Sequence, residues 1–137
     1  MSRRKAREIA FKVVFQVDQV EADPRQAFDY LIADQKLNTE DREFSWQLIE
    51  GCLENIILID EKLALYSNDW AIDRMLSVDR NIMRIASFEI LFDQPQQSVI
   101  AIDEAIEIAK KYGDKNSASF VNAILDRVLS ENESAGN

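Results

Sequence analysis

An all-helical fold is what this sequence predicts, and three observations predict it. Only 3 Gly and 2 Pro stand among 137 residues, too few turn-formers for a many-stranded β architecture. Apolar residues return at spacings of three and four along most of the chain, and no stretch alternates with period two for long. At 47% apolar residues, a chain of this length carries the material for its own core. The expectation is all-α: a single compact multi-helix domain of about six to seven helices over residues 1–130, then a frayed polar tail at 131–137.

The first helix runs from Arg3 to about Val20, with Ile9, Val13, Val17 and Val20 as an apolar stripe that ends before "EADP". Asp23 and Pro24 supply an N-cap and a first-turn proline for a second helix, with Ala27, Leu31 and Ile32 inward. Capping oxygens in "NTED" open a third, longer segment in which Phe44, Leu48, Cys52, Ile56, Ile59 and Leu63 recur, and Gly51 marks a close helix contact there. After "YSNDW" and "AIDRML", Ser77 caps a fourth helix through Val78, Ile82, Ile85, Ala86 and Leu91, which stops before Pro95. A fifth takes Val99, Ile102, Ile106 and Ala109 and ends at Gly113. The sixth begins near Asn116 or Ser117 and carries Phe120, Ile124 and Val128.

Composition narrows the chemistry. The chain has no histidine, which removes the usual general base and the imidazole metal ligands, and it has no glycine-rich phosphate loop. No metal or cofactor is expected. Asp103, Glu104 and Glu107 could act as an acid and base, but they precede Lys110 and Lys111 on one helix and read as partners in surface ion pairs. The single cysteine, Cys52, sits among Leu53 and Ile56 and reads as an inert buried thiol. The N-terminus lacks the uninterrupted apolar run of a secretory signal, and no segment reaches transmembrane length, so a cytoplasmic protein is expected.

Charge is distributed unevenly. The formal net charge is −9, from 25 acidic and 16 basic residues. Residues 1–12 nevertheless hold five basic side chains (Arg3, Arg4, Lys5, Arg7 and Lys12) and one acidic, Glu8: net +4, leaving −13 for the remainder. On a helix, Arg3, Arg7, Phe11 and Phe15 fall four apart in one column. Such polarity confines phosphates to one end of an otherwise repelling protein. Single-stranded RNA fits better than duplex, because one helix end offers few phosphate contacts while a ring can stack an unpaired base. Two other readings stand beside it: a helical adaptor whose basic tip touches acidic protein, and core roles for Phe11 and Phe15.

Three segments, "RRKAREIAF", "NDWAIDRMLSVDRNIMRIASFEILF" and "IDEAIEIAKKYGDKNSASFVNAILDRVL", follow one another in the order of the signature segments of the NusB family of bacterial transcription antitermination factors, and resemble them. The resemblance implies an all-helical protein that binds the boxA element of nascent ribosomal RNA transcripts jointly with the ribosomal protein NusE. That complex joins the elongating RNA polymerase and helps it read through terminators.

Position by position, the resemblance implies RNA contacts at Arg3, Arg4, Lys5 and Arg7, with Phe15 at an aromatic position that is often Tyr in the family. A second RNA-facing segment is implied at Lys115, Asn116, Ser117 and Phe120, and a helix N-terminus there suits an anion. For Phe120, core packing is the competing role. Asp79, Arg80 and Arg84 match the family region that faces the ribosomal protein, whose basic character suits the acidic remainder of this chain. Surface ion pairing is the competing role for the two arginines. Two departures are visible: Ala123 stands where the family usually has Gly, and Asn116 where an acid is common. Glu89, on the apolar line of Ile82, Ile85 and Ala86, calls for a hydrogen-bonding partner inside the fold. The same helical domain also occurs joined to ribosomal RNA methyltransferases; a stand-alone factor is the expectation for this length.

Overall fold

The computed structural model describes residues 2–67, 71–92 and 97–136. Among them run seven α-helices, α1 (Ser2–Val20), α2 (Pro24–Ile32), α3 (Thr39–Glu54), α4 (Ile56–Tyr66), α5 (Ser77–Phe92), α6 (Ser98–Tyr112) and α7 (Ser117–Gly136), with a single 3-10 turn at Ile72–Arg74 before α5.

Local chemistry sets most boundaries where the sequence places them. The Asp23 carboxylate accepts from the Gln26 N–H at 2.9 Å, and the Asn38 side chain accepts from the Asp41 N–H at 2.8 Å, so both caps satisfy a free first-turn donor. Gly113 ends α6 and donates its N–H to the Ala109 carbonyl. Ser77 opens α5, but its hydroxyl accepts from Gln19 at 2.9 Å and Arg80 at 3.3 Å. Pro95 lies outside the described residues.

Two expectations are corrected. The long third segment is two helices, because Asn55 leaves helical geometry at φ −112° and ψ 19° and its side chain donates to the Gly51 carbonyl, a local bond that competes with helix propagation. The apolar period continues across the break because both helices bury the same side of the chain. Val20 and Val99 extend their stripes in sequence but are 72% and 60% exposed, Val20 as the last residue of α1 and Val99 in the first turn of α6. α7 extends over residues 131–136.

α5 is the central element and packs against α1, α3, α4, α6 and α7. Ile82, Met83, Ile85, Ala86 and Ile90 meet Val13 and Val14 of α1, Ile49 of α3, Ile59 and Leu63 of α4 and Val121 and Leu125 of α7 in one continuous apolar cluster. Gly51 allows α3 to approach α5: a Cβ there would stand 2.1 Å from Cζ of Phe88. Cys52 is fully buried in this cluster, and burial pushes its thiol up to about 12, which keeps it protonated and inert.

Two sets of charges lie inside the fold. Arg7 of α1 forms a two-pronged pair with Glu89 of α5, Nε and Nη2 each donating at 2.8 Å, with the side chains 7% and 1% exposed. This is the bonded role that the position of Glu89 demands. At the other end of the α1–α5 contact, Asp18 accepts from Arg80 at 2.6 Å and Asn81 at 2.9 Å, while Arg84 pairs with Asp60 through two bonds of 2.9 and 2.8 Å.

Burial alone would raise the Asp18 carboxyl, but hydrogen bonds from Arg80 and Asn81 and the charges of Arg80 and Arg84 outweigh it and pull it down to about 2. A folded-state value below the unfolded one means stabilisation that is present above the unfolded value, roughly pH 4, and lost as pH falls through the folded one. Wild-type protein is therefore expected to lose stability between about pH 4 and pH 2. In Asp18→Asn the deficit relative to wild type should be largest at neutral pH and shrink across that window. Urea midpoints measured across the acid range check this; a deficit independent of pH would contradict it.

Candidate nucleic-acid interface

The basic end of α1 lies beside α6. Arg4 donates to Glu104 through Nε at 2.7 Å and Nη2 at 3.1 Å, Glu8 accepts from Lys111 at 2.6 Å and from the Tyr112 hydroxyl at 2.7 Å, and the rings of Phe11 and Tyr112 lie 5.6 Å apart. Contacts that climb both helices together mean that α1 and α6 run side by side in the same direction. Tyr112 then leads through Gly113 into the start of α7, so both sequence-predicted RNA segments lie along one edge of the fold.

Along that edge the predicted residues divide. Arg3 and Arg4 are exposed and Lys5 is half-exposed. Arg3 lies 3.3 Å from the Asp41 carboxylate, with its guanidinium 4.1 Å above the Phe44 ring, and Lys5 lies 3.6 Å from Glu8. Lys115 and Asn116 are exposed on the turn before α7, where the Asn116 N–H donates to the Asp114 carboxylate at 2.8 Å. Phe15 and Phe120 are each partly buried and pack against the core, with Phe15 set 5.9 Å from Phe11.

Other predicted contacts lie inside. Arg7 faces Glu89 instead of solvent because, one turn beyond Arg3, the same column is already covered by α5. Ser117 is fully buried, and its hydroxyl accepts from the Asp114 N–H at 2.9 Å, tying the loop to α7. The three residues expected to face a protein partner, Asp79, Arg80 and Arg84, are also enclosed: Asp79 is 5% and Arg80 9% exposed, and the Arg84 side chain 11%. Arg80 further donates to the carbonyls of Ile72 at 3.0 Å and Met75 at 3.3 Å, holding the 3-10 turn against α5. Burial pushes the Asp79 carboxyl up, a hydrogen bond with Ser117 opposes this, and the charge of Asp114 adds to the rise; its Oδ1 has no hydrogen-bond partner among the described residues.

Long-range pairing also revises the reading of α6. Lys110 does pair locally, with Glu107 at 3.3 Å, but Glu104 serves Arg4 and Lys111 serves Glu8. Burial would raise the Glu8 carboxyl, and the bonds from Lys111 and Tyr112 with the charges of Lys111 and Lys5 hold it below the usual carboxylate range. Lys12, whose ammonium lies 5.4 Å above the Tyr112 ring, joins the same edge. The sequence signal for these residues was the basic excess of residues 1–12; that Lys110 and Lys111 add to it depends on the α1–α6 contact. No group of His, Cys, Asp and Glu suited to a metal ion occurs among the described residues, nor is any helix there long and apolar enough to cross a membrane.

Comparison with known proteins places this geometry in a context. The profile of the NusB family matches residues 4–130. The transcription antitermination protein NusB of Syntrophomonas wolfei is 65% identical over 96% of this chain and 98% of its own length. Among solved structures, NusB of T. maritima is 40% identical, with a TM-score of 0.84 over 94% of this chain and 91% of that one. A NusB chain crystallised as antitermination factors NusB and NusE in complex with dsRNA has a TM-score of 0.87 over 95% of this chain and 97% of that one; at 24% identity the likeness is one of fold.

Proposed function

The chain belongs to the NusB family, and on that premise we propose that it is a transcription antitermination factor. It binds boxA-type single-stranded RNA in nascent ribosomal RNA transcripts together with the ribosomal protein NusE, joins the elongating RNA polymerase in the cytoplasm, and helps it pass terminators. Its contribution is recognition and assembly, with no catalytic step.

The observation that carries this reading is the family match over residues 4–130, which takes in both the basic end of α1 and the start of α7. Arg3, Arg4 and Lys5 at one place and Lys115 and Asn116 at the other are the exposed groups for phosphate and base edges, and Phe15 and Phe120 support them from partly buried positions. Arg7 and Ser117 act from within by fixing α1 and the turn before α7. NusE is assigned to the face at the start of α5, where Arg80 holds the 3-10 turn from inside, Arg84 ties α5 to α4 through Asp60, Asp79 lies buried, and Leu76 offers an apolar contact, 48% exposed. The acidic remainder of the surface steers a basic partner toward that face.

Transcription across a boxA-bearing leader and a downstream terminator tests the proposal, with this protein, NusE and the other elongation factors present. Readthrough is expected to rise on the boxA template and to stay low when boxA is scrambled. Equal readthrough on the two templates would contradict it.

A further inference from the structure

Between α1 and α6 runs an open groove of about 410 Å³ lined by Arg4, Glu8, Glu107, Ile108, Lys110 and Lys111. Its charges are layered. The Glu8 and Glu104 side chains are only 8% and 16% exposed, whereas those of Arg4, Lys5, Lys110 and Lys111 are 58%, 44%, 62% and 59% exposed. Glu8 lines the groove and Glu104 lies beneath Arg4 at its edge, while the outer layer carries Arg4, Lys110 and Lys111 against one half-exposed carboxylate, Glu107, which pairs with Lys110, so an arriving chain of phosphates meets a net cationic surface. Glu8 holds Lys111 at 2.6 Å and Lys5 at 3.6 Å and is itself fixed by the Tyr112 hydroxyl, so these long side chains are held in place before any ligand arrives. The nine residues of α1 from Arg4 to Lys12 span about 12 Å, and beyond Lys111 the chain passes through Tyr112, whose hydroxyl bonds Glu8, into the turn that carries Lys115.

We propose that bound RNA crosses from the tip of α1 to the start of α7 along this groove, with Lys110 and Lys111 as phosphate contacts and Glu8 as the residue that positions Lys111. The inference rests on the RNA-binding reading above and deepens it: the two exposed segments are ends of one backbone track.

The test is binding of a short single-stranded boxA RNA to the full chain at several salt concentrations. In Lys110→Ala/Lys111→Ala, affinity falls several-fold at low salt and the log–log salt slope flattens by roughly 1.4, about 0.7 for each lost phosphate contact on a single strand. The control Arg25→Ala/Lys36→Ala removes the same net charge on and just after α2, which packs on α1 and α3, and should leave the slope of wild type. Lys110 pairs, among the described residues, with exposed Glu107, so Lys110→Glu keeps the test available where loss of the Lys111–Glu8 bond lowers stability; it should weaken RNA binding more than Lys110→Ala does. Slopes for the groove variant equal to wild type, or equal loss in the control, overturn the track while leaving RNA binding in place. Failure of the wild-type protein itself to bind the RNA overturns the track and the reading beneath it together.

Discussion

Arg7→Ala is expected to unfold the protein at a temperature roughly 10–20 °C lower than wild type, from a loss of about 3–5 kcal/mol. The cause is the carboxylate left behind. Glu89 is 1% exposed on α5, and without the guanidinium it must stay charged in the core or take up a proton; either choice costs the folded state. Replacing both partners with apolar residues of similar volume, Arg7→Met with Glu89→Leu, should recover much of the loss, because desolvating the pair offsets most of its Coulomb gain. Thermal denaturation of the two variants and wild type provides the check. An Arg7→Ala variant with an unchanged melting temperature and a defect confined to RNA binding would return Arg7 to the RNA surface.

The second large effect is on binding. Arg3→Ala, Arg4→Ala and Lys5→Ala together should remove most RNA affinity and flatten the log–log salt slope by about 2, three contacts at about 0.7 each. The folding midpoint should fall much less than in Arg7→Ala, since the three cations are at least 44% exposed and Glu8 keeps Lys111 and Tyr112, although Asp41 and Glu104, 7% and 16% exposed, each lose a partner. Stability and binding thus separate within one basic cluster: Arg7 governs the first, its neighbours the second. Fluorescence anisotropy with labelled RNA, beside a melting curve, reads both. Retained affinity and slope in a folded triple variant would remove the tip of α1 from the interface.

That division within "RRKAR" shows where sequence reading reaches its limit. A four-residue period placed Arg3, Arg7, Phe11 and Phe15 in one column, correctly, but a column says nothing about where along it the neighbouring helix begins to cover it. Cover starts between Lys5 and Ala6, so Arg3 is 51% exposed by its side chain and Arg7 only 7%. Glu89 carried the complementary signal: a carboxylate on the apolar line of α5 needs a buried partner, and a cation on α1 answers it. Asp79, Arg80 and Arg84 are assigned to a partner face by resemblance alone, which carries no burial; Asp18 and Asp60, contributed by α1 and α4, turn the two arginines inward. Helix caps at Asp23 and Asn38 were legible because capping is local. The break at Asn55 was not, because apolar spacing runs through it. Lys110 and Lys111 looked like members of local pairs, and only the α1–α6 contact shows that Glu104 and Glu8 draw their partners from across the fold.

The central claim is that a protein with a net charge of −9 binds single-stranded RNA through one cationic edge. Its most direct test is the salt dependence of binding between the wild-type protein and a boxA single strand, alone and with NusE. The account predicts a log–log slope of roughly −2 to −4, set by the exposed cations of α1 and of the α7 start and those of the groove between them, with NusE raising affinity for boxA over a scrambled strand. A slope near zero, or equal affinity for boxA and scrambled strands with NusE present, would contradict it.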